Sequence, residues 1–120
     1  MPSYTDALRG YVARILARDS YRCRYCGLDG RVSFSNWLAL SEDHLLPKSH
    51  PKRNSAEYRV AACRSCNEAD NRYLEKAAAA GLDFDSKTPE ELIALRREAV
   101  LKTREQYQRF WEENVELKPK

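Results

Sequence analysis

Residues 23–27 read Cys23-Arg24-Tyr25-Cys26-Gly27, and residues 63–67 read Cys63-Arg64-Ser65-Cys66-Asn67. Zinc takes four ligands tetrahedrally, and the two cysteines of one Cys-x-x-Cys turn can reach the same ion. Cys23, Cys26, Cys63 and Cys66 are all the cysteines of the chain. Together they complete a four-thiolate set with no open coordination position, so the expected ion is a structural Zn²⁺. A redox-sensing dithiol is the rival; it needs only one such pair and implies a disulfide with no bound metal.

Working outward from the two turns, Asp43-His44 falls between them and Asn67 directly follows the second. The apolar run ahead of Asp43 is expected to supply a strand ending near His44, and Asn67 to stand at the start of a helix. A divalent ion that assists phosphodiester hydrolysis prefers hard oxygen ligands, which the Asp43 carboxylate and the Asn67 amide oxygen supply. Hydrolysis also needs a base of near-neutral pKa to take a proton from water, and His44 has that chemistry. His50, beside Pro51 in a basic loop, is read as structural.

The order Cys-Arg-Tyr-Cys-Gly (23–27), Glu-Asp-His-Leu-Leu-Pro (42–47), Cys-Arg-Ser-Cys-Asn (63–67) resembles the HNH endonuclease family in its zinc-knuckle form, over roughly residues 20–75. The resemblance implies an α+β fold built on a small ββα-metal core; flanking helices at about 3–18 and 88–115 lie outside it and are expected from capping and apolar periodicity. It implies His44 as general base, Asp43 and Asn67 as ligands of a catalytic divalent ion (Mg²⁺ or Mn²⁺), and the four cysteines as the structural zinc site. The partner it implies is nucleic acid, with DNA favoured over RNA, cut to leave a 5′ phosphate and a 3′ hydroxyl. The family's central Asn, about five residues before the second knuckle, is replaced here by Tyr58. Asn54, in the preceding loop, is expected to do its work by holding the backbone so that His44 points correctly. Asn71, one helical turn after Asn67, is a second ligand candidate, ranked below an ordinary polar role at the helix surface. The competing class is a non-catalytic zinc module that binds nucleic acid or protein. It accounts for the cysteines but gives Asp43, His44 and Asn67 no task.

Composition agrees with a small soluble globular protein. The chain has 120 residues, 42% hydrophobic and 32% charged, within the range of one globular domain spanning 1–120 and outside that of disordered chains. No apolar run approaches the ~20 residues of a membrane span. The first residues, MPSYTDALRG, carry no basic stretch followed by an apolar core. A cytoplasmic protein is therefore expected, and that compartment favours metal over disulfide for the cysteines. Residues 1–64 hold 11 Lys/Arg against 6 Asp/Glu, whereas residues 65–120 hold 10 against 12. The motifs thus lie largely in a basic half, as a polyanion surface requires. Lys48, Lys52, Arg53, Arg59 and Arg64 surround them and are candidates for phosphate contacts.

Coarse patterning supplies the frame. Ser3 and Asp6 read as a capping box before a helix whose apolar face is Leu8, Tyr11, Val12, Ile15 and Leu16. Residues 32–40 fit either a strand or a short helix, and Tyr58–Ala62 a strand delivering Cys63. From Cys66 a single helix is expected to run to a Gly81 cap. Trp37, Tyr21 and Tyr25 read as packing groups, and Tyr73 as packing that helix onto the strands. Thr88, Pro89 and Glu91 open a last helix with an apolar stripe of Leu92, Leu95, Ala99, Thr103, Tyr107 and Phe110, expected to lie on the core.

Overall fold

The computed structural model describes residues 11–119. The expected Ser3/Asp6 cap and Leu8 lie outside the described residues. In chain order the elements are α1 (Tyr11–Arg18), α2 (Phe34–Leu38), β1 (Leu40–His44), a 3-10 turn (Ala56–Tyr58), β2 (Arg59–Cys63), α3 (Arg64–Glu68), α4 (Tyr73–Ala79), a second 3-10 turn (Phe84–Ser86) and α5 (Pro89–Asn114). The α+β architecture expected from the motifs is the one observed. No helix among the described residues is long and apolar enough to cross a membrane.

β1 and β2 form a two-stranded antiparallel sheet, in register from Leu40↔Cys63 to His44↔Arg59. A lone hairpin is marginal in water, and here the neighbours complete it. The Ala61 N–H donates to Asp19 Oδ2 at 2.8 Å, and the Ala61 carbonyl accepts from the Arg24 N–H at 2.9 Å. Arg18, at the end of α1, donates to the Ala56 and Arg59 carbonyls at 2.7 and 2.6 Å. The outer edge of β2 is thus satisfied by the turn after α1 and by the first knuckle rather than left open. Buried Asp19 is itself paired with Arg18 at 3.0 Å and Arg24 at 3.4 Å.

The core gathers Leu16 from α1, Leu40, Val60, Ala61 and Ala62 from the strands, Leu45 and Leu46 after β1, and Leu92, Ile93 and Val100 from α5. Cys23, Cys63 and Cys66 are part of the same cluster, so the expected metal site is continuous with the apolar core. Gly30 is required by close approach. A Cβ there would stand 2.5 Å from Leu40 Cδ1 and 3.0 Å from the Tyr21 carbonyl.

Two expectations are corrected. The helix expected from Cys66 to Gly81 is two helices: α3 stops at Glu68, Ala69 is extended (φ −63°, ψ 122°), and Asp70 is left-handed (φ 49°) before α4. The cause is tertiary. Arg96 of α5 donates to the Asn67 and Asp70 carbonyls at 3.3 and 3.4 Å, so the Asn67 oxygen that a continuous helix would offer to residue 71 is turned to a guanidinium instead. Asn71 is accordingly not one turn beyond Asn67 on a shared helix.

The second correction concerns α5. Its start is as expected, with the Thr88–Glu91 capping box formed at 3.0 and 3.1 Å and Pro89 in the first turn, worth about 1 kcal/mol. Its buried face, however, is Leu92, Ile93, Arg96 and Val100. Tyr107, Phe110 and Trp111 are 58%, 62% and 46% exposed. At 1.5 Å per residue the helix is about 39 Å long, and its second half extends past the core that covers the first.

Candidate active site and metal centre

The four cysteine sulfurs lie within 4.8 Å of one another, and all four cysteines are free. Sulfurs about 2.3 Å from a tetrahedral zinc stand about 3.8 Å apart, and the Cys26 and Cys63 sulfurs are 3.8 Å apart. A disulfide would require about 2 Å. Each knuckle is shaped locally. Cys26 N–H points at Cys23 Sγ at 3.5 Å, Gly27 N–H donates to the Cys23 carbonyl at 3.0 Å, and Gly27 takes φ 81°, a conformation that favours glycine. In the second knuckle Cys63 caps α3, and Cys66 is fully buried one turn later. Hydrogen bonds from Cys63 and Cys66 hold the Cys23 thiol far below its ordinary pKa, and the same sharing pushes Cys63 and Cys66 up. Among packed thiols one ionises readily and its charge opposes the rest; a divalent cation removes that opposition. Arg104 of α5 reaches the cluster, donating to Ser65 Oγ at 2.7 Å and approaching Cys66 Sγ at 3.8 Å. The residues therefore form a metal site whose donor set suits Zn²⁺.

Asp43, His44 and Asn67 come together at a cleft of about 610 Å³, floored by the end of β1 and walled by α3, α4 and the loop after β1. Lys48, Arg53, Asp70, Asn71, Tyr73 and Arg96 also line it. His44 is half-buried, and that burial, with the Arg53 charge nearby, lowers its pKa below the ordinary value. The ring is thus neutral near pH 7 and able to accept a proton.

Asp43 is buried. Tyr25 Oη donates to its Oδ2 at 2.6 Å, and Arg96 Nε approaches the same oxygen at 3.4 Å. Among the described residues no hydrogen bond falls on Oδ1. The Asn67 Nδ2 group donates to Ser41 Oγ at 3.1 Å and to the Glu42 carbonyl at 2.9 Å. A carbonyl can only accept, which orients the amide with its nitrogen toward β1 and leaves the oxygen as the free acceptor. One carboxylate oxygen and one amide oxygen, both hard donors, are thus the groups that fit a Mg²⁺ or Mn²⁺ ion here.

Other expected residues lie elsewhere. Asn54 is exposed in the turn after His50, does not line the cleft, and among the described residues its side chain makes no hydrogen bond. The loop is instead tied by the Leu45 N–H donating to the Tyr58 carbonyl at 2.9 Å. Asn71 is exposed yet lines the cleft from the link between α3 and α4. Of the five nearby cations, Lys48 and Arg53 line it, while Arg59 pairs with Glu42 at 3.3 Å. His50 accepts from the Lys52 N–H on Nδ1, so Nε2 carries the proton that meets Asp85 at 2.7 Å, a clip between two loops.

Residues 23–72 match the family model described as HNH endonuclease. Over these 50 of the 120 residues the chain is similar to an HNH endonuclease. The matched segment runs from the first cysteine to the turn before α4, enclosing both knuckles, Asp43, His44 and Asn67. Neither a curated protein nor a solved structure matches the chain. Two residues that contact Asp43 in the cleft carry no motif in the sequence. Tyr25 looked like a packing group. Arg96 lies outside the matched segment, and its only signal is a charge at the i+4 step between Leu92 and Val100, inside the apolar phase of a helix.

Proposed function

We propose that the chain is a metal-dependent endonuclease that hydrolyses phosphodiester bonds of nucleic acid, with DNA the first substrate to test, in the cytoplasm. The observation that carries this reading is the convergence of a half-buried neutral His44 with Asp43 and Asn67 on one cleft, inside the HNH segment. His44 takes the proton of the attacking water; that it lines the cleft supports this role. Asp43 and Asn67 would hold a divalent ion through oxygen atoms, and the lining cations Lys48 and Arg53 bind backbone phosphates without sequence preference. Such an ion, when bound, offsets charge developing on the phosphate and the leaving 3′ oxygen. The four-cysteine zinc site is structural and fixes the end of β2 on which α3 is built.

Cleavage of supercoiled plasmid by zinc-loaded protein with added Mg²⁺ or Mn²⁺ tests the reading, beside a His44→Ala variant of matched zinc content. The parent nicks or linearises the plasmid, and the variant loses about a hundredfold or more, the usual contribution of a general base. The second reading, a zinc module that binds without cutting, is favoured by Tyr58 standing where the family carries its central Asn. Retained nucleic-acid binding with no cleavage under any divalent ion selects it.

A further inference from the structure

We propose that Tyr25 and Arg96 are the positioning residues of the catalytic-metal site, holding Asp43 by Oδ2 so that its other oxygen is presented to the ion. The inference rests on the reading of Asp43 as a metal ligand. Tyr25 belongs to the first knuckle, between Cys23 and Cys26, so its ring is placed by the same turn that places two of the cysteine sulfurs. It is 3% exposed, and its hydroxyl donates to Asp43 at 2.6 Å. Arg96 comes from the opposite side, on α5. Only 5% exposed, it reaches Asp43 Oδ2 and the Asn67 and Asp70 carbonyls with one guanidinium. Its charge lies 4.9 Å from the Tyr73 ring centre and 5.9 Å from that of Tyr25, within cation–π range.

The chemistry of this arrangement is specific. A carboxylate fixed at one oxygen by two donors has little freedom to turn, and its second oxygen keeps one direction. The same guanidinium bonds the backbone of Asn67, so both residues read as metal ligands are referred to one rigid group. A buried Arg on an apolar helix face is costly unless fully bonded, and here its fork is matched by three acceptors on two segments. Neither the zinc site nor the core requires such a group, since Leu92, Ile93 and Val100 already fasten α5.

Mn²⁺ binding to zinc-loaded protein, followed by loss of the free-ion electron paramagnetic resonance signal, tests this with Asp43→Ala, Tyr25→Phe and Arg96→Lys. Tyr25→Phe keeps the ring and removes only the hydroxyl. Positioning predicts Mn²⁺ affinity about tenfold or more weaker in Tyr25→Phe, within the 10–100-fold range of such outer contacts, with zinc content unchanged. It also predicts kcat reduced while KM for DNA holds. Arg96→Lys, which cannot reproduce a planar fork, shows the same loss or a larger one. If Asp43→Ala loses Mn²⁺ but Tyr25→Phe binds it as the parent does, the positioning role is overturned while the ligand reading stands. Tighter binding in Tyr25→Phe overturns it too, because charge withdrawal by the hydroxyl would then dominate orientation. If the parent and Asp43→Ala bind alike, the ligand reading fails and takes the positioning role with it.

Discussion

At Asp43 the residue type marks a position and its surroundings decide the rest. The Asp-His pair between two knuckles marked the position, because the residue types declare their chemistry. Which carboxylate oxygen stays available was decided by Tyr25, eighteen positions away, and Arg96, fifty-three away. Asn67 shows the same division: its amide is an expected ligand by type, but its orientation follows from the Glu42 carbonyl on the neighbouring strand. Gly30 supplies a prediction at this scale. Its missing side chain is what lets Leu40 and the Tyr21 carbonyl close over the first knuckle. Gly30→Ala forces backbone or Leu40 to move and is expected to cost about 1–3 kcal/mol, the usual range for overpacking. A lower denaturant midpoint at unchanged slope and unchanged zinc content would show it; an unaltered midpoint would mean that the loop gives way freely.

Elements with strong local signals formed where their residues said. Thr88, Pro89 and Glu91 start α5, and Gly81 follows α4 with φ 91°, because caps depend on neighbours within one turn. The elements that departed did so through distant contacts. The helix after Cys66 is broken where Arg96 takes the Asn67 carbonyl, although its sequence has good helix propensity. α5 carries its apolar pattern past Val100, but periodicity cannot say where the facing surface ends. The consequence is testable. Ending the chain after Glu105 keeps Leu92, Ile93, Arg96, Val100 and the Arg104 contacts with Ser65 and Cys66, and the described residues it removes are all exposed. The shortened protein is expected to unfold within about 0.5 kcal/mol of the parent, as surface changes usually do. A larger loss by chemical denaturation would show that the overhanging half is covered in solution.

In the whole molecule, the four-cysteine site and the core are one structure. Cys23, Cys63 and Cys66 belong to the hydrophobic cluster that also holds the strands and the first half of α5. A core of this size gains little stability by itself, and ligation of four thiolates adds folding free energy directly. Removal of zinc by a strong chelator is expected to unfold the sheet and α3 cooperatively, with loss of near-ultraviolet dichroism from buried Tyr25, and re-addition of zinc to restore it. A native spectrum in metal-free protein would show that the apolar core suffices alone. From the sequence by itself came the four-cysteine site, the Asp43–His44 and Asn67 positions, the two short strands and the last helix's cap, because ligand spacing, strand patterning and capping act within a few residues. Tertiary structure alone decided the break after Glu68, the exposure of Asn54 and of the end of α5, and the hold of Tyr25 and Arg96 on Asp43. Those depend on which buried polar groups find partners once distant segments meet, and no local pattern carries that information.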